Sequence, residues 1–242
     1  HPRVRRQRQM CIRDSEKGLR KMKDKIVTFG EIMLRLSPEN NARFTQCNAF
    51  EAVYGGGEAN TAVSLANFDV DANYVTKLPK HIIGQAAINS LRQYGVGVDH
   101  IVRGGDQIGI YFLEKKTSQR PTNVIYNRAG SAFALATADD FNWDEIFDGA
   151  TWFHFSGITP AISDEMTNIC ITACQKAKEK GMTVSCDLNY RSKLWSSEKA
   201  CEAMSRICQY VDVCIANEDD AIGIFSMNPV SYTHLRAHET GA

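Results

Sequence analysis

Four short stretches concentrate the residue types that handle anions, hydroxyl groups and phosphate. Gly55-Gly56-Gly57-Glu58-Ala59-Asn60 opens a helical stripe. Glycines let main-chain N–H groups approach a ligand closely, and a helix N-terminus favours anions and hydroxyl oxygens. The plain alternative is a glycine turn capped by Asn60. Asp187-Leu188-Asn189-Tyr190-Arg191 directly follows an apolar run. Arg191 there could fork onto a carboxylate or phosphate, or pair with a neighbouring acid. Asn217-Glu218-Asp219-Asp220 follows the last apolar run. Acids at a helix start suit the dipole; they also suit hydrated Mg²⁺ and phosphate, because Mg²⁺ keeps several waters and needs few direct ligands. Tyr111, Tyr126 and Arg128 sit in a stretch of alternating polarity, with 126 and 128 on one face. Phenol hydroxyls and a guanidinium suit a polyhydroxylated anion, or simply a sheet surface. No G-x-x-x-x-G-K-[ST] loop occurs, and Asn60 stands where a dinucleotide fingerprint needs its third glycine.

The elements that must position these residues alternate along the chain. KIVTF (25–29) is a short strand, 58–68 a helix, 72–78 a strand, and 82–94 a helix stopped by Gly95. Residues 108–129 read as an antiparallel hairpin around the turn-rich SQRPTN. The alternation resumes with a short helix over 141–147 and a strand over 151–156. A helix over 163–180 is ended by Gly181, followed by a strand over 182–186. A helix over 198–210, a strand over 211–215 and a helix from 219 complete it. Apolar strands separated by helices predict a parallel sheet covered on both faces. The hairpin reads as a lid on that sheet. Ligands bind beyond the carboxyl ends of such strands; here those ends carry FGE (29–31), FSG (155–157), CDLNYR (186–191) and IANEDD (215–220).

Composition bounds the function. The 242 residues hold 28 Lys+Arg against 28 Asp+Glu, with 43% hydrophobic residues. That excludes a disordered chain and argues against binding nucleic acid through bulk positive charge. No apolar run of membrane-spanning length occurs, and no signal peptide opens the chain, so no membrane partner and a cytosolic location are expected. The two ends are foreign to the middle. Met10–Asp14 can be written ATG TGT ATA AGA GAC, whose reverse complement encodes Val-Ser-Tyr-Thr-His, the run Val230–His234. Residues 1–21 are therefore expected to be an appended or disordered leader, 22–228 the folded domain starting at Met22, and 229–242 an appended tail. The ends 1–15 and 229–242 carry six of the Lys+Arg and two of the Asp+Glu, so 16–228 has a net charge of −4. The seven Cys outside these ends form no C-x-x-C pair and read as free thiols.

Together these segments resemble the ribokinase-like (PfkB) carbohydrate kinases over essentially all of 22–228. FGEIMLRLSP, GGGEAN, IGIYFLE, VIYNRAGSA, FHFSGITPA and CDLNYRSKLW are most similar to the 2-keto-3-deoxygluconate kinases. The resemblance implies a ribokinase-like α/β fold with a small antiparallel β lid, roughly 34–50 and 105–129, and a C-terminal part missing. It implies cytosolic transfer of the ATP γ-phosphoryl, with Mg²⁺, to the terminal hydroxyl of a sugar acid. Gly56 and Asn60 match the sugar-contacting Gly-Gly-x-x-x-Asn segment, and Tyr111, Tyr126 and Arg128 match lid positions that touch the acid. Arg191 matches the arginine that reaches substrate or transferred phosphate. Asn217 and Asp220 match an Asn-x-x-Glu motif tied to Mg²⁺ and phosphate, with Asp in place of the usual Glu. Arg35 stands where fructokinase-like relatives carry Asp, which favours an anionic substrate. The family's Gly-x-Gly-Asp loop, which supplies the Asp base, is not found after Asp220; Gly104-Gly105-Asp106 reads as a turn. The catalytic base is expected to lie beyond this sequence, leaving the given chain inactive. A homo-oligomer through the lid is implied for the complete protein. The competing readings are a fructokinase or another PfkB sugar kinase, a dinucleotide-binding oxidoreductase, and a non-catalytic sugar-binding module.

Overall fold

The computed structural model describes residues 24–227. The leader 1–21, the start at Met22 and the tail 229–242 lie outside the described residues. The chain enters through β1 (Lys25–Phe29) and immediately leaves the main sheet for β2 (Met33–Pro38) and β3 (Phe50–Gly55). It returns through helix α1 (Gly57–Asn67) to β4 (Asp71–Val75), then β5 (Lys77–Leu78) and helix α2 (Ile82–Arg92). Strand β6 (Val102–Arg103) precedes the hairpin β7 (Ile110–Glu114) and β8 (Asn123–Asn127). The second half runs α3 (Trp143–Ile146), β9 (Ala150–Ser156), α4 (Ile158–Ala161), α5 (Asp164–Glu179), β10 (Thr183–Asp187), α6 (Ser197–Ile207), β11 (Val213–Ile215) and α7 (Glu218–Phe225).

The main sheet has the order β11-β10-β9-β1-β4 and every pair is parallel. All its strands therefore end on one edge, where the sequence concentrates its polar residues. Register places Val27, Phe153 and Val184 in one row and Phe29, Phe155 and Cys186 in the next. These rows are fully buried and pack against α3, α5 and α6. Burying each large side chain contributes roughly 1.5–3 kcal/mol. Trp143 is the hub of this core, with ring centroids of Phe29, Phe141, Phe147 and Phe153 between 5.1 and 5.9 Å away. The opposite face is closed over β1 and β4 by α1 and α2, through Ala59, Ala62, Ala87, Ile88 and Leu91. At β11, Val213 and Ile215 stay exposed, 39% and 53%.

Helix α5 shows why these stretches adopt their structure. The Ser163 hydroxyl accepts the Met166 N–H as N-cap. Met166, Ile169, Cys170, Ala173, Cys174 and Ala177 recur at three- and four-residue spacing and are buried. Gly181, at φ +70°, stops the helix.

The lid is a separate sheet of order β3-β2-β7-β8. Two antiparallel pairs, β2–β3 and β7–β8, are joined by a parallel seam between β2 and β7, so the sheet is mixed rather than purely antiparallel. The stretch read as one strand over 72–78 breaks at Thr76, and β5 pairs with β6 in a separate two-stranded ribbon. The helix read over 141–147 is the single turn Trp143–Ile146. All seven described cysteines are free; Cys170, Cys174 and Cys186 are buried, and Cys214 is exposed.

Candidate active site

The carboxyl edge of the sheet is stitched by main-chain and side-chain hydrogen bonds running from strand to strand. Gly157 donates to the Asp187 carbonyl at 2.8 Å, and Leu188 to the Ile215 carbonyl at 2.8 Å. The Tyr190 N–H donates to Asp220 Oδ1 at 2.8 Å. The segments after β9, β10 and β11 therefore form one continuous surface. Asn189 adopts a left-handed conformation there, φ +39°, which Asn tolerates well.

Gly56 is the N-cap of α1 in extended conformation. A Cβ there would sit 2.2 Å from the Glu31 carbonyl oxygen, so only glycine fits. Asn60 lies inside α1 rather than capping it, and its amide is exposed. It lines a half-open groove of about 450 Å³ with Val53, Tyr54, Gly55, Ser90 and Tyr94. None of the lid residues 111, 126 and 128 lines this groove, nor does Arg191 or the 217–220 segment.

The lid brings three expected residues into one cross-strand row. Arg35 on β2 pairs with Tyr111 on β7, which pairs with Tyr126 on β8. The two phenol rings stack with centroids 5.7 Å apart. Arg128 follows β8 and makes an ion pair through Nη2 with Glu31 Oε2, with side-chain exposures of 13% and 3%. Ser131 Oγ donates to Glu31 Oε1 at 2.5 Å. Burial pushes the Glu31 carboxyl up, against the pull of Arg128 and Ser131. The Nε–H groups of both Arg35 and Arg128 are buried without an acceptor among the described residues.

Glu58 is a second buried acid, 3% exposed. Its Oε1 accepts the Ser156 N–H at 3.0 Å, the Ser156 hydroxyl at 2.5 Å and the Thr159 hydroxyl at 3.3 Å. Burial raises its carboxyl above the ordinary value, and these donors work against that rise. Glu58 thereby ties the start of α1 to the end of β9. Asp187, at the end of β10, is also pushed up, first by burial and then by the Asp220 charge; the Asn189 amide and Arg191 oppose this. Glu31, Glu58 and Asp187 fall inside the motifs of the sequence, which by themselves give these acids no role. Their signal was an acid adjoining a glycine or ending an apolar strand.

Asn217 and Asp220 form a reciprocal helix cap. Asn217 Oδ1 accepts the Asp220 N–H at 2.8 Å, and Asp220 Oδ2 accepts the Asn217 N–H at 3.3 Å. With Oδ1 held by Tyr190, both Asp220 oxygens are engaged, and the residue is 6% exposed. The pair does not fit direct coordination of Mg²⁺, and no cluster of three or more His, Cys, Asp or Glu with metal-holding geometry occurs among the described residues. Contact through water is what the exposed Asn217, Glu218 and Asp219 allow. Arg191 is exposed on the same edge.

The family model described as pfkB family carbohydrate kinase matches residues 23–239. A 2-dehydro-3-deoxygalactonokinase from Haloferax volcanii is 38% identical over 209 residues, which are 86% of this chain and 65% of that protein. A 2-dehydro-3-deoxygluconokinase from Bacillus subtilis is 28% identical over 73% of this chain and 55% of its own length. The chain thus spans roughly half to two thirds of the curated relatives it matches. The crystal structure of 2-dehydro-3-deoxygluconokinase from Thermotoga maritima superposes with a TM-score of 0.85 at 50% identity, covering 90% of this chain and 68% of that one.

Proposed function

The chain belongs to the pfkB family of carbohydrate kinases, and we propose that it comes from an ATP-dependent sugar-acid kinase acting on 2-keto-3-deoxygluconate (2-dehydro-3-deoxygluconate) to give its 6-phosphate. The observation that carries the acid is the pair of buried Nε–H donors on Arg35 and Arg128 that have no acceptor among the described residues. A buried donor without an acceptor costs about 1–3 kcal/mol, and a ligand carboxylate removes that cost. Arg103 and Arg120 share the feature at Nε, but Arg103 gives its Nη groups to Gln85 and the Pro79 and Lys80 carbonyls, and Arg120 Nε lies 3.5 Å from Glu114 Oε1.

In this reading Gly56 and Asn60 hold sugar hydroxyls, while Tyr111, Tyr126, Arg128 and Arg35 hold the acid end. Arg191 reaches the transferred phosphate. Phosphoryl transfer depends on positioning and charge stabilisation, which is what these side chains supply. ATP supplies the phosphoryl group; Mg²⁺, met through water by the 217–220 segment, offsets phosphate charge. A cytosolic setting is part of the proposal, as is a homo-oligomer through the lid, which Phe50 and Ile125, 40% and 51% exposed, support. No helix of the described residues is long and apolar enough to cross a membrane.

The given 242 residues contain no Gly-x-Gly-Asp sequence. That favours a second reading for this polypeptide itself, as a sugar-acid binder that transfers no phosphate. Calorimetry and a kinase assay test both. The chain should bind 2-keto-3-deoxygluconate at least tenfold more tightly than fructose and turn over neither. Equal or tighter fructose binding overturns the acid assignment, and measurable phosphorylation overturns the binder reading.

A further inference from the structure

Glu31 occupies a position that the sugar-kinase reading does not use. It lies two residues past the end of β1, yet its carboxylate spans to a turn one hundred residues later. Oε2 takes the Arg128 guanidinium and Oε1 takes the Ser131 hydroxyl, so one side chain fastens both ends of the turn 128–131. The turn is closed on itself as well, since the Ser131 N–H donates to the Arg128 carbonyl at 2.9 Å. Ser131 Oγ also accepts the Ala134 N–H at 3.1 Å on one lone pair, while its proton goes to Glu31. The carboxylate is almost without water, at 3% exposure. Space for it is made by Gly109: a Cβ there would lie 2.5 Å from Glu31 Oε1.

We propose that Glu31 is a positioning residue that clamps Arg128 and fixes the direction in which its guanidinium meets a sugar acid. The inference rests on the sugar-acid reading above. A guanidinium ordinarily presents several donors in a planar fork. With Nη2 in ion contact with Glu31, the Nε–H is a buried donor without an acceptor among the described residues, and in this reading it meets the ligand. The pair is also neutral as a unit. Arg128 therefore selects its ligand by the direction of a hydrogen bond rather than by net positive charge. Because the turn 128–131 is the exit from β8, the same clamp holds the lid to the end of β1.

The test uses the full chain with two independent readouts. The first is the ¹⁵N signal of the Arg128 Nε–H in ligand-free protein, assigned with Arg128→Lys. It should be sharp and slow to exchange in the wild type and broadened or lost in Glu31→Gln. The second is calorimetric affinity for 2-keto-3-deoxygluconate, which should fall at least tenfold in Glu31→Gln. A double-mutant cycle should show Arg128→Lys costing far less affinity in the Glu31→Gln background. A variant that keeps the signal, or binds the acid as the wild type does, overturns the clamp. If the wild type binds no sugar acid, the kinase reading falls, and the Nε–H signal alone decides whether Glu31 orients Arg128. Should Glu31→Gln fail to fold, Glu31→Asp, which keeps the charge but shortens the reach, must show the same loss of signal.

Discussion

Asn60 is where a single side chain separates binding from folding. Its amide is exposed in the groove beside β3, and alanine is a better helix former at an interior helical position. Asn60→Ala should leave the melting temperature unchanged or slightly higher. It should weaken sugar-acid binding about tenfold, near 1.4 kcal/mol. Calorimetry beside a thermal melt checks this; a loss of stability with unchanged affinity would make Asn60 a structural residue. The residue scale is also where the sequence is least legible. The stretches around Gly56, Tyr111, Tyr126 and Arg191 could be picked out because glycine, phenol and guanidinium groups have recognisable chemistry. Glu31 and Glu58 could not. Each acts through partners about a hundred residues away, Ser131 and Ser156, and an isolated acid beside a strand or helix end reads as a solvated group or dipole partner.

At the scale of elements, periodicity carries further. The turn-rich SQRPTN between two strand-like runs foretold the lid hairpin, but the shared parity read for 126 and 128 does not carry into the strand, because β8 ends at Asn127 and Arg128 turns away to Glu31. The parallel seam between β2 and β7 was not legible, since it joins strands separated by more than seventy residues and no local pattern encodes it. The break at Thr76 was hidden for a related reason. A strand-like run does not say that its last two residues pair with a different strand. The entry to α1 offers a sharp contrast between adjacent glycines. At Gly56 a Cβ would press 2.2 Å from the Glu31 carbonyl, whereas at Gly57 it meets nothing within 4 Å. Gly56→Ala should destabilise by about 1–3 kcal/mol, and Gly57→Ala should stabilise by about 0.5 kcal/mol. Chemical denaturation of both variants measures the difference, and equal effects would contradict the close approach of α1 to the end of β1.

For the whole molecule, the alternation of strands and helices sufficed to predict a parallel sheet with helices on both faces. What it could not specify is how distant segments are cross-tied. Lys77 on β5 reaches Asp140, far along the chain, at 2.6 Å, with side-chain exposures of 14% and 17%. Burial works to raise the Asp140 carboxyl, but Lys77 and the Thr137 amide outweigh it and hold the group below its ordinary value. A depressed carboxyl contributes stability that is present above the unfolded value, near 3.8, and lost as pH falls through the folded one. Asp140→Asn should therefore lower stability at pH 7 by about 1–3 kcal/mol. It should also flatten the acid limb of the melting-temperature profile as pH falls below about 4. Parallel wild-type and variant profiles in that window would show that the tie contributes nothing.

The packing of Glu58 beneath Gly30 reaches beyond the folded state into descent. A Cβ at position 30 would fall 2.2 Å from Glu58 Oε2 and 2.9 Å from its Cγ, so an alanine there requires the buried acid to move or shorten. A lineage gains alanine at 30 at lower cost after the acid at 58 has shortened. The same substitution is thus harmful on one genetic background and tolerable on another. The order of mutations, and not only their sum, decides which neighbouring sequences remain reachable.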